Sequence, residues 1–149
     1  MGTIRASRTI AAPVDRVWAV FTDIPAAANN LPAITGIEVL THEPFGPGYR
    51  WRETRRMFGQ SATEEMQVSV SEEPDYYEVT ADSRGTAYLT RYDFVPAPGG
   101  TRVDFTFSGT PHSTLTKVLT TLTFPLMKRM ATKQLAQDLA DLAAVCERG

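Results

Sequence analysis

The chain of 149 residues contains one cysteine, two histidines and no long apolar run. Cys146 cannot form a disulfide within the chain, and its place in an apolar helical pattern predicts a small core residue. No segment approaches the roughly 18 consecutive apolar residues that span a bilayer, so we expect no stable membrane insertion. The N-terminus also lacks the apolar core of a signal peptide, and this predicts a cytoplasmic location.

Metal and cofactor motifs are also missing. His42 and His112 lie near prolines at strand ends, without a cluster of cysteines or acids at ligand spacing, so we expect both at the surface and no metal site. No Gly-x-Ser-x-Gly elbow, phosphate-binding loop or dinucleotide fingerprint is present, which argues against hydrolase, nucleotide and nicotinamide chemistry. The sequence therefore predicts that no cofactor is used.

The charge and length of the chain restrict its partners and its domain number. The formal net charge is −2, and the apolar and charged fractions of 42% and 21% are ordinary for a globular domain. This balance argues against nucleic acid as a partner, and the length predicts one domain over residues 1–149. Basic residues exceed acidic ones in the last quarter of the chain, with five against three in residues 113–149. The oligomeric state, monomer or homodimer, stays open.

The chain opens with a strand that leads directly into a helix. Ile4, Ala6 and Ile10 share one face of an extended segment, and Pro13 suits the first turn of a helix. Apolar residues then recur at helical spacing: Val14, Val17, Trp18 and Phe21. Residues 23–33, bounded by prolines, favour a short second helix and a turn.

The middle of the chain alternates between polar and apolar residues and reads as an antiparallel meander. A first strand is predicted around Ile37 and Val39. Glycine-, proline- and aspartate-containing breaks then separate five further strands, which are predicted at residues 49–58, 61–71, 75–82, 86–95 and 101–110.

Apolar residues recur at helical spacing from Ser113 to Arg148, which predicts one long terminal helix. Pro125 removes the backbone hydrogen bond to the carbonyl of Thr121, so it predicts either a bend or a short first piece separate from the main helix. The positions expected to form a single apolar face are Leu115, Leu119, Leu122, Leu126, Met130, Leu135, Leu139, Leu142 and Cys146.

The segment from Ile10 to Asp23, the meander, the turn at Gly99-Gly100-Thr101 and the terminal helix together resemble the START-like helix-grip (SRPBCC) superfamily. The resemblance covers nearly all of the chain and points to the branch of polyketide cyclases/dehydrases and lipid transport proteins. It implies an α+β helix-grip fold, in which a strongly curved antiparallel sheet of about seven strands, in the order β-α-α-β6-α, wraps around the terminal helix and leaves an internal cavity. Many relatives carry a tryptophan near the end of the second helical segment, where this chain has Asn30 and Leu31.

Alternation along the strands identifies the face that turns toward the helix. On strand 49–58 this face combines Trp51 with Glu53 and Arg55, and because an unpaired buried charge is costly we expect an ionic network that includes Glu64. The side chains predicted to bind the ligand are Trp51, Arg55, Glu64, Met66, Tyr77, Thr90, Phe94, Phe105 and Phe107 of the sheet, with Leu122 and Met130 of the helix. Further residues predicted on this face are Tyr49, Met57, Ala62, Val68, Val70, Val79, Ala81 and Val103.

Glu53, Tyr88 and Tyr92 are the candidate catalytic residues if the domain is an enzyme. A carboxylate of raised pKa beside phenols can move protons at a carbonyl-activated carbon or a hydroxyl, as cyclisation and dehydration of poly-carbonyl substrates require. The structural alternative is that the charges pair to fix the strand register and that the tyrosines only line a wall.

The sequence therefore predicts a domain that binds a hydrophobic small molecule, such as a lipid, a polyketide, a quinone or an aromatic metabolite, in an internal cavity. Two alternatives stay open. One is a cofactor-free polyketide cyclase or dehydrase that uses a cavity carboxylate and tyrosines. The other is a module that binds a protein partner, against which the mostly polar outer face of the sheet argues, since partner surfaces expose large apolar patches.

Overall fold

The computed structural model describes residues 3–57 and 59–148, apart from the side chains of Met57, Thr120 and Thr123. The elements are β1 (Thr3–Ile10), α1 (Val14–Thr22), a 3₁₀ turn (Ile24–Ala26), α2 (Ala27–Asn30), β2 (Ile34–Val39), β3 (Arg50–Met57), β4 (Gln60–Glu72), β5 (Tyr76–Ser83), β6 (Thr86–Ala97), β7 (Gly100–Pro111) and α3 (Thr114–Glu147). The predicted order β-α-α-β6-α is confirmed. Phe58, the last residue of the strand predicted at 49–58, and the side chain of Met57, expected on the inner face, lie outside the described residues.

The seven strands form one antiparallel sheet in the order β1-β7-β6-β5-β4-β3-β2. The sheet is open, with β1 and β2 at its two edges. Five hairpin connections join β2 through β7, and β1 pairs with β7 along its whole length, from Thr3 opposite Ser108 to Ile10 opposite Thr101. The first and last strands of the chain are therefore neighbours, which brings α1 and α3 to the same side of the sheet.

One register expectation is wrong. Val70 was expected on the same face as Val68, but a β-bulge between them shifts the pairing, so that Val70 lies opposite Glu78 while Ser71 lies opposite Tyr77. Because Tyr77 points inward, the bulge assigns Val70 to the outer face. Period-two alternation cannot reveal such a shift, since one extra residue reverses every position that follows it.

The core lies between the sheet and α1. The indole ring of Trp18 packs edge-on against Tyr77 and Phe94, with ring centroids 5.7 and 5.5 Å apart. Phe21, one turn further along α1, packs edge-on against Phe94 at 5.3 Å. Edge-to-face packing of this kind adds to the free energy gained by burying the rings, by about 0.5–1.5 kcal/mol per pair. The apolar spacing of the opening helix is thus confirmed as the face that buries this helix on the sheet.

The turn between β6 and β7 packs closely against the end of β1. A side-chain carbon at Gly100 would clash with the carbonyl oxygen of Ile10, and the backbone φ of +158° at this glycine is rarely adopted by other residues. The adjacent Thr101, fully buried, donates a hydrogen bond to the carbonyl of Ala12 at 2.9 Å. This turn therefore fixes the junction between β1 and α1.

The end of α3 packs against the same junction. The backbone N–H of Ala11 donates to a carboxylate oxygen of Glu147 at 2.8 Å, and Arg16 donates to the carbonyl of Val145 at 3.2 Å. The helix begins at the other end of the molecule, beside the β5–β6 turn, where Ser113 accepts a capping hydrogen bond from the N–H of Thr116 at 3.1 Å. The helix thus runs from one end of the sheet to the other.

Two expectations for this helix need correction. It continues through Pro125 without a break, so the alternative of a separate first piece is wrong, while a bend at Pro125 stays a prediction. The expected single apolar face divides into two parts that differ in burial: Leu139, Leu142, Ala143 and Cys146 of the second half are at most 8% exposed, whereas Leu115, Leu119 and Leu126 of the first half are 56–69% exposed. No helix within the described ranges is long and apolar enough to cross a membrane.

Candidate functional site

The inner face of the sheet, on which Tyr77, Phe94 and Phe105 pack against α1, carries the residues singled out from the sequence. At its β3 end lies an ionic network that joins the sheet to α3. Arg55 donates from Nη1 to Oδ2 of Asp138 at 2.7 Å and from Nε to Oε2 of Glu53 at 3.3 Å. The side chains of Arg55, Glu53 and Asp138 are 19%, 12% and 10% exposed.

The other carboxylate oxygens of this network are also bonded. Trp51 donates its indole N–H to Oε1 of Glu53 at 3.2 Å, and Gln134 donates to Oδ1 of Asp138 at 3.0 Å. Each acid therefore uses one oxygen for Arg55 and the other for a neutral donor. The expected pairing of Glu53 with Arg55 is present in this geometry, and the arrangement satisfies the charges that the fold buries.

The pKa values around the network follow from burial and neighbouring charge. Burial lowers the pKa of Arg55, but the nearby carboxylates of Asp138 and Glu53 outweigh it, so the net shift is upward. Burial raises the pKa of Tyr92, as does Asp138, while Arg55 opposes them. Burial also raises the pKa of Tyr77 well above its ordinary value. Both phenols therefore stay protonated at neutral pH and can only donate or accept hydrogen bonds there.

Glu64 does not join the network as expected. It lies opposite Glu53 in the β3–β4 register, yet its Oε1 accepts a hydrogen bond from the hydroxyl of Ser83 on β5 at 2.7 Å. The physical reason is that Arg55 already has two carboxylate partners, so a third acid gains little by approaching it. Glu64 and Ser83 instead form a polar corner of the inner face, toward the β5–β6 turn.

The predicted ligand-binding residues fall into two groups that differ in accessibility. Four are buried within the aromatic core and cannot touch a ligand unless the core opens: Trp51, Tyr77, Phe94 and Phe105, at 2–4% exposure. Those that are only partly buried, and so can be reached, are Arg55, Glu64, Met66, Thr90 and Phe107, together with the two candidate catalytic tyrosines, Tyr88 and Tyr92. The accessible part of the inner face therefore lies toward the β5–β6 turn.

Tyr88 and Phe107 form the apolar centre of this accessible part. Their rings stack on neighbouring strands with centroids 5.3 Å apart and planes inclined by 18°. Thr90 lies directly opposite Phe107 in the β6–β7 register, and Met66 lies two strands away on β4. We name Tyr88, Phe107, Thr90 and Met66 the open patch. It presents two aromatic rings, a thioether and a hydroxyl on one side of the sheet.

The two helix residues predicted to line the cavity differ from expectation in their burial. Leu122 is 75% exposed and Met130 37% exposed. Neither side chain is therefore enclosed between the helix and the sheet.

Two surface depressions lie away from the centre of the open patch. One, of about 560 Å³, opens mainly on the outer face around Glu65, Gln67 and Thr80, and Tyr88 is the one patch residue in its lining. The other, of about 450 Å³, lies near Arg56 and Gln137. An enclosed internal cavity therefore stays a prediction.

Sequence reasoning missed Asp138 and Gln134, which complete the network from α3. The available signal was the position of Asp138 on the helix, three residues after Leu135 and four before Leu142. That spacing places an acid on the apolar face of the helix, where it needs a partner from the packed sheet. The inward arginine of β3 was the residue to pair with it.

The residues expected at the surface are there. His42 is exposed, and His112 lies 2.7 Å from a carboxylate oxygen of Asp82 with half of its side chain exposed. Among the described residues, no group of three or more histidines, cysteines or acids could hold a metal ion. Cys146 is buried, as predicted, and burial raises the pKa of its thiol to about 11.

Comparison with solved structures identifies the same fold elsewhere. The protein TTHA0849 from Thermus thermophilus superposes with a TM-score of 0.82 at 19% identity, over 99% of this chain and 98% of that one. A START superfamily protein from Mycobacterium smegmatis gives a TM-score of 0.77 at 17% identity, over 98% and 97% of the two chains. The di-domain ARO/CYC protein BexL, from the BE-7585A biosynthetic pathway, gives 0.80 at 17% identity, over 96% of this chain and 49% of its own.

These identities show the fold alone, and they confirm the START-like helix-grip architecture expected from the sequence. No curated protein matches the sequence. A family model described as "Polyketide cyclase / dehydrase and lipid transport" matches residues 1–147. Because this match covers almost the whole chain, the protein belongs to the polyketide cyclase/dehydrase and lipid transport family.

Proposed function

We propose that the protein binds a hydrophobic small molecule on the open patch, as a carrier or binding protein. The observation that carries the proposal is the stacked pair of Tyr88 and Phe107, which remains partly exposed while the aromatic residues nearer α1 are buried. Aromatic and thioether side chains left accessible on a concave fold gain free energy when an apolar molecule covers them. The family description, which names lipid transport, agrees with this function.

The chemistry of the patch restricts the ligand. Its apolar centre favours a flat or flexible hydrocarbon skeleton, and the hydroxyl groups of Thr90 and Tyr88 can each exchange a hydrogen bond with it. Glu64, held by Ser83 at the edge, accepts hydrogen bonds from a ligand hydroxyl. The best fit is therefore a largely apolar molecule with one or two hydroxyl or carbonyl groups, as in a polyketide, a quinone or a lipid.

The environment of Glu53 favours binding over catalysis. A carboxylate is a weak base when hydrogen bonds and a neighbouring cation stabilise its charged form. Both oxygens of Glu53 already accept hydrogen bonds, one from Trp51 and one from Arg55. Protonation of Glu53 would weaken its ion pair with Arg55, which makes a structural role the simpler explanation.

The binding proposal can be tested with the uncharged fluorescent probe N-phenylnaphthylamine. We expect saturable binding at one site, and Phe107→Trp should weaken it about tenfold, because the larger indole would take up space beside Tyr88 that the probe occupies, and a misfit at an apolar contact costs about 1–3 kcal/mol. Leu89→Trp is the matched control, since Leu89 lies next to Tyr88 on the opposite, outer face and is 38% exposed. Equal probe affinity in both folded variants would place the site elsewhere.

A cofactor-free cyclase or dehydrase is the second candidate, favoured by the placement of Glu53 near two phenols whose pKa values are raised. In this function Tyr92 would donate a hydrogen bond to a substrate carbonyl while Glu53 accepts a proton from the adjacent carbon. If the protein turns over an enolisable poly-carbonyl compound, Glu53→Gln should lower the rate about 10²-fold or more and leave probe binding unchanged. Full activity in this variant would exclude Glu53 as the base.

A further inference from the structure

The first half of α3 exposes a row of large aliphatic side chains. Leu115, Val118, Leu122 and Leu126 are 69%, 51%, 75% and 66% exposed. At 100° per residue these four positions fall within an arc of about 80° along some 17 Å of helix, so they form one stripe and not scattered contacts. We name these four residues the helix stripe. Exposed aliphatic patches of this kind mark interaction surfaces.

Positive charge accompanies the stripe. Seven residues after Leu122 and Leu126, and therefore on the same side of the helix, lie Arg129 and Lys133, both exposed. Lys117 and Lys128 are exposed on other sides of the same segment. Between Ser113 and Gln137 the sequence contains these four basic residues and no aspartate or glutamate, although the whole chain has a net charge of −2.

These cations have no carboxylate partner in the part of the chain that the structure describes. The ion pairs found there involve five arginines of the sheet and one histidine, namely Arg50, Arg52, Arg55, Arg91, Arg102 and His112. In the helix segment Lys128 has only a distant contact, 5.8 Å from its amine to the centre of the Phe124 ring. The cations are therefore available to an anionic partner.

We infer that the helix stripe and its flanking cations bind the surface of an anionic lipid bilayer. A cationic helix with one aliphatic side is suited to lie flat at the interface, with its leucines among the acyl chains and its lysines and arginines reaching the phosphates. Binding of this kind is peripheral and reversible, in agreement with the finding that no described helix can cross a membrane. It does not depend on the proposed ligand site.

Two other occupants fit less well. A second copy of the chain would place Arg129 and Lys133 of both copies in one two-fold contact, with no acid between Ser113 and Gln137 to compensate them. A protein groove would be expected to engage aromatic residues, which are enriched where protein interfaces bind most strongly, whereas leucine and valine are under-represented there. The stripe contains only leucine and valine, and a fluid bilayer accommodates these side chains without a complementary shape.

Flotation of the purified full chain with vesicles tests the inference. We expect binding to vesicles of phosphatidylcholine and phosphatidylglycerol in equal parts, weakened by added salt, and much weaker binding to phosphatidylcholine alone. Arg129→Gln with Lys133→Gln should weaken binding to the anionic vesicles about 25-fold, from about fivefold per charge. Equal binding to both vesicle types, or to neither, would overturn the inference.

Leu115→Gln with Leu126→Gln tests the stripe itself. We expect a loss of vesicle affinity of about tenfold or more, because each leucine side chain no longer leaves water. Both positions are exposed, so the thermal unfolding midpoint should not fall. Leu89→Gln, an exposed leucine on the outer face of the sheet, is the matched control and should bind as the parent does. Light scattering that shows a dimer, dissociated by the double substitution, would assign the stripe to a second copy and overturn the inference.

Discussion

Removal of the Asp138 carboxylate tests whether the ionic network holds α3 on the sheet. Asp138→Ala deletes the shorter of the two ion pairs of Arg55, at 2.7 Å, and also the acceptor of the Gln134 amide. The side chains of Arg55 and Asp138 are 19% and 10% exposed, so water reaches them poorly. The substitution therefore leaves a mostly buried guanidinium with a single remaining carboxylate, that of Glu53 at 3.3 Å.

The expected loss of stability follows from that geometry. Removing one partner of a buried ion pair costs about 3–5 kcal/mol when the other charge is left without compensation. The remaining carboxylate of Glu53 compensates part of this cost, so we expect about 2–3 kcal/mol. For a chain of this length, each kcal/mol corresponds to about 2–4 °C in the unfolding midpoint, which gives a decrease of about 4–12 °C.

Urea unfolding followed by tryptophan fluorescence measures this loss, and a surface pair provides the control. Arg52 and Glu38 approach to 2.6 Å, closer than Arg55 and Asp138, but their side chains are 45% and 63% exposed. Glu38→Ala should therefore cost less than about 1 kcal/mol despite the shorter distance. Arg55→Met and Asp138→Leu combined with Glu53→Gln should recover most of the stability, because this variant buries no charge and the new amide carbonyl can still accept the indole N–H of Trp51.

The reasoning would be refuted if Glu38→Ala and Asp138→Ala cost the same. That outcome would mean that burial does not determine the strength of the network. It would also be refuted if the variant with all three charges removed were less stable than Asp138→Ala, because the ionic groups would then contribute more than their desolvation costs.

Two further predictions concern pH and the helix. Burial raises the pKa values of Tyr77 and Tyr92 above the ordinary value of 10, so the folded state retains these protons more strongly than the unfolded chain. These groups should not affect the free energy of unfolding below about pH 9, and above about pH 10 each tyrosine should lower it by up to about 1.4 kcal/mol per pH unit. Urea unfolding at a series of pH values measures this decrease, which should be smaller in Tyr92→Phe. Pro125→Ala should stabilise the protein by about 1–3 kcal/mol, since proline is unfavourable inside a helix, and it should also change probe affinity. A loss of stability would contradict the assignment of Pro125 to the helix interior.

The sequence predicts the architecture well because local signals agree with one another. The turns after β4, β5 and β6 carry the glycine, proline and aspartate that tight turns require, and each observed strand extends at most two residues beyond either predicted end. The alternation of β7 likewise places Val103 and Phe105 in the core. The failure at Val70 has a different origin, since a bulge depends on how two strands pair, and a single strand's pattern contains no information about its partner.

The same limitation explains the network. Arg55 and Glu53 are two residues apart on one strand, so their shared face follows from alternation. Asp138 is 83 residues away from Arg55, and its contact depends on where α3 crosses the sheet. Burial of that charge requires a partner, but the sequence offers several inward polar residues, and only the packing of the helix selects Arg55.

The two halves of α3 experience different constraints, and this difference connects the proposals. Its second half is held by buried apolar residues and by the ion pair between Asp138 and Arg55. If this half moved away from the sheet, the pair would separate and the mostly buried Arg55 would lose a carboxylate partner. Its first half is mostly exposed, and it begins beside the β5–β6 turn next to the open patch. Because the loosely packed half is also the half that we propose contacts lipid, we expect membrane binding to change access to the patch. A substitution in the stripe that alters probe uptake only when vesicles are present would demonstrate this coupling directly.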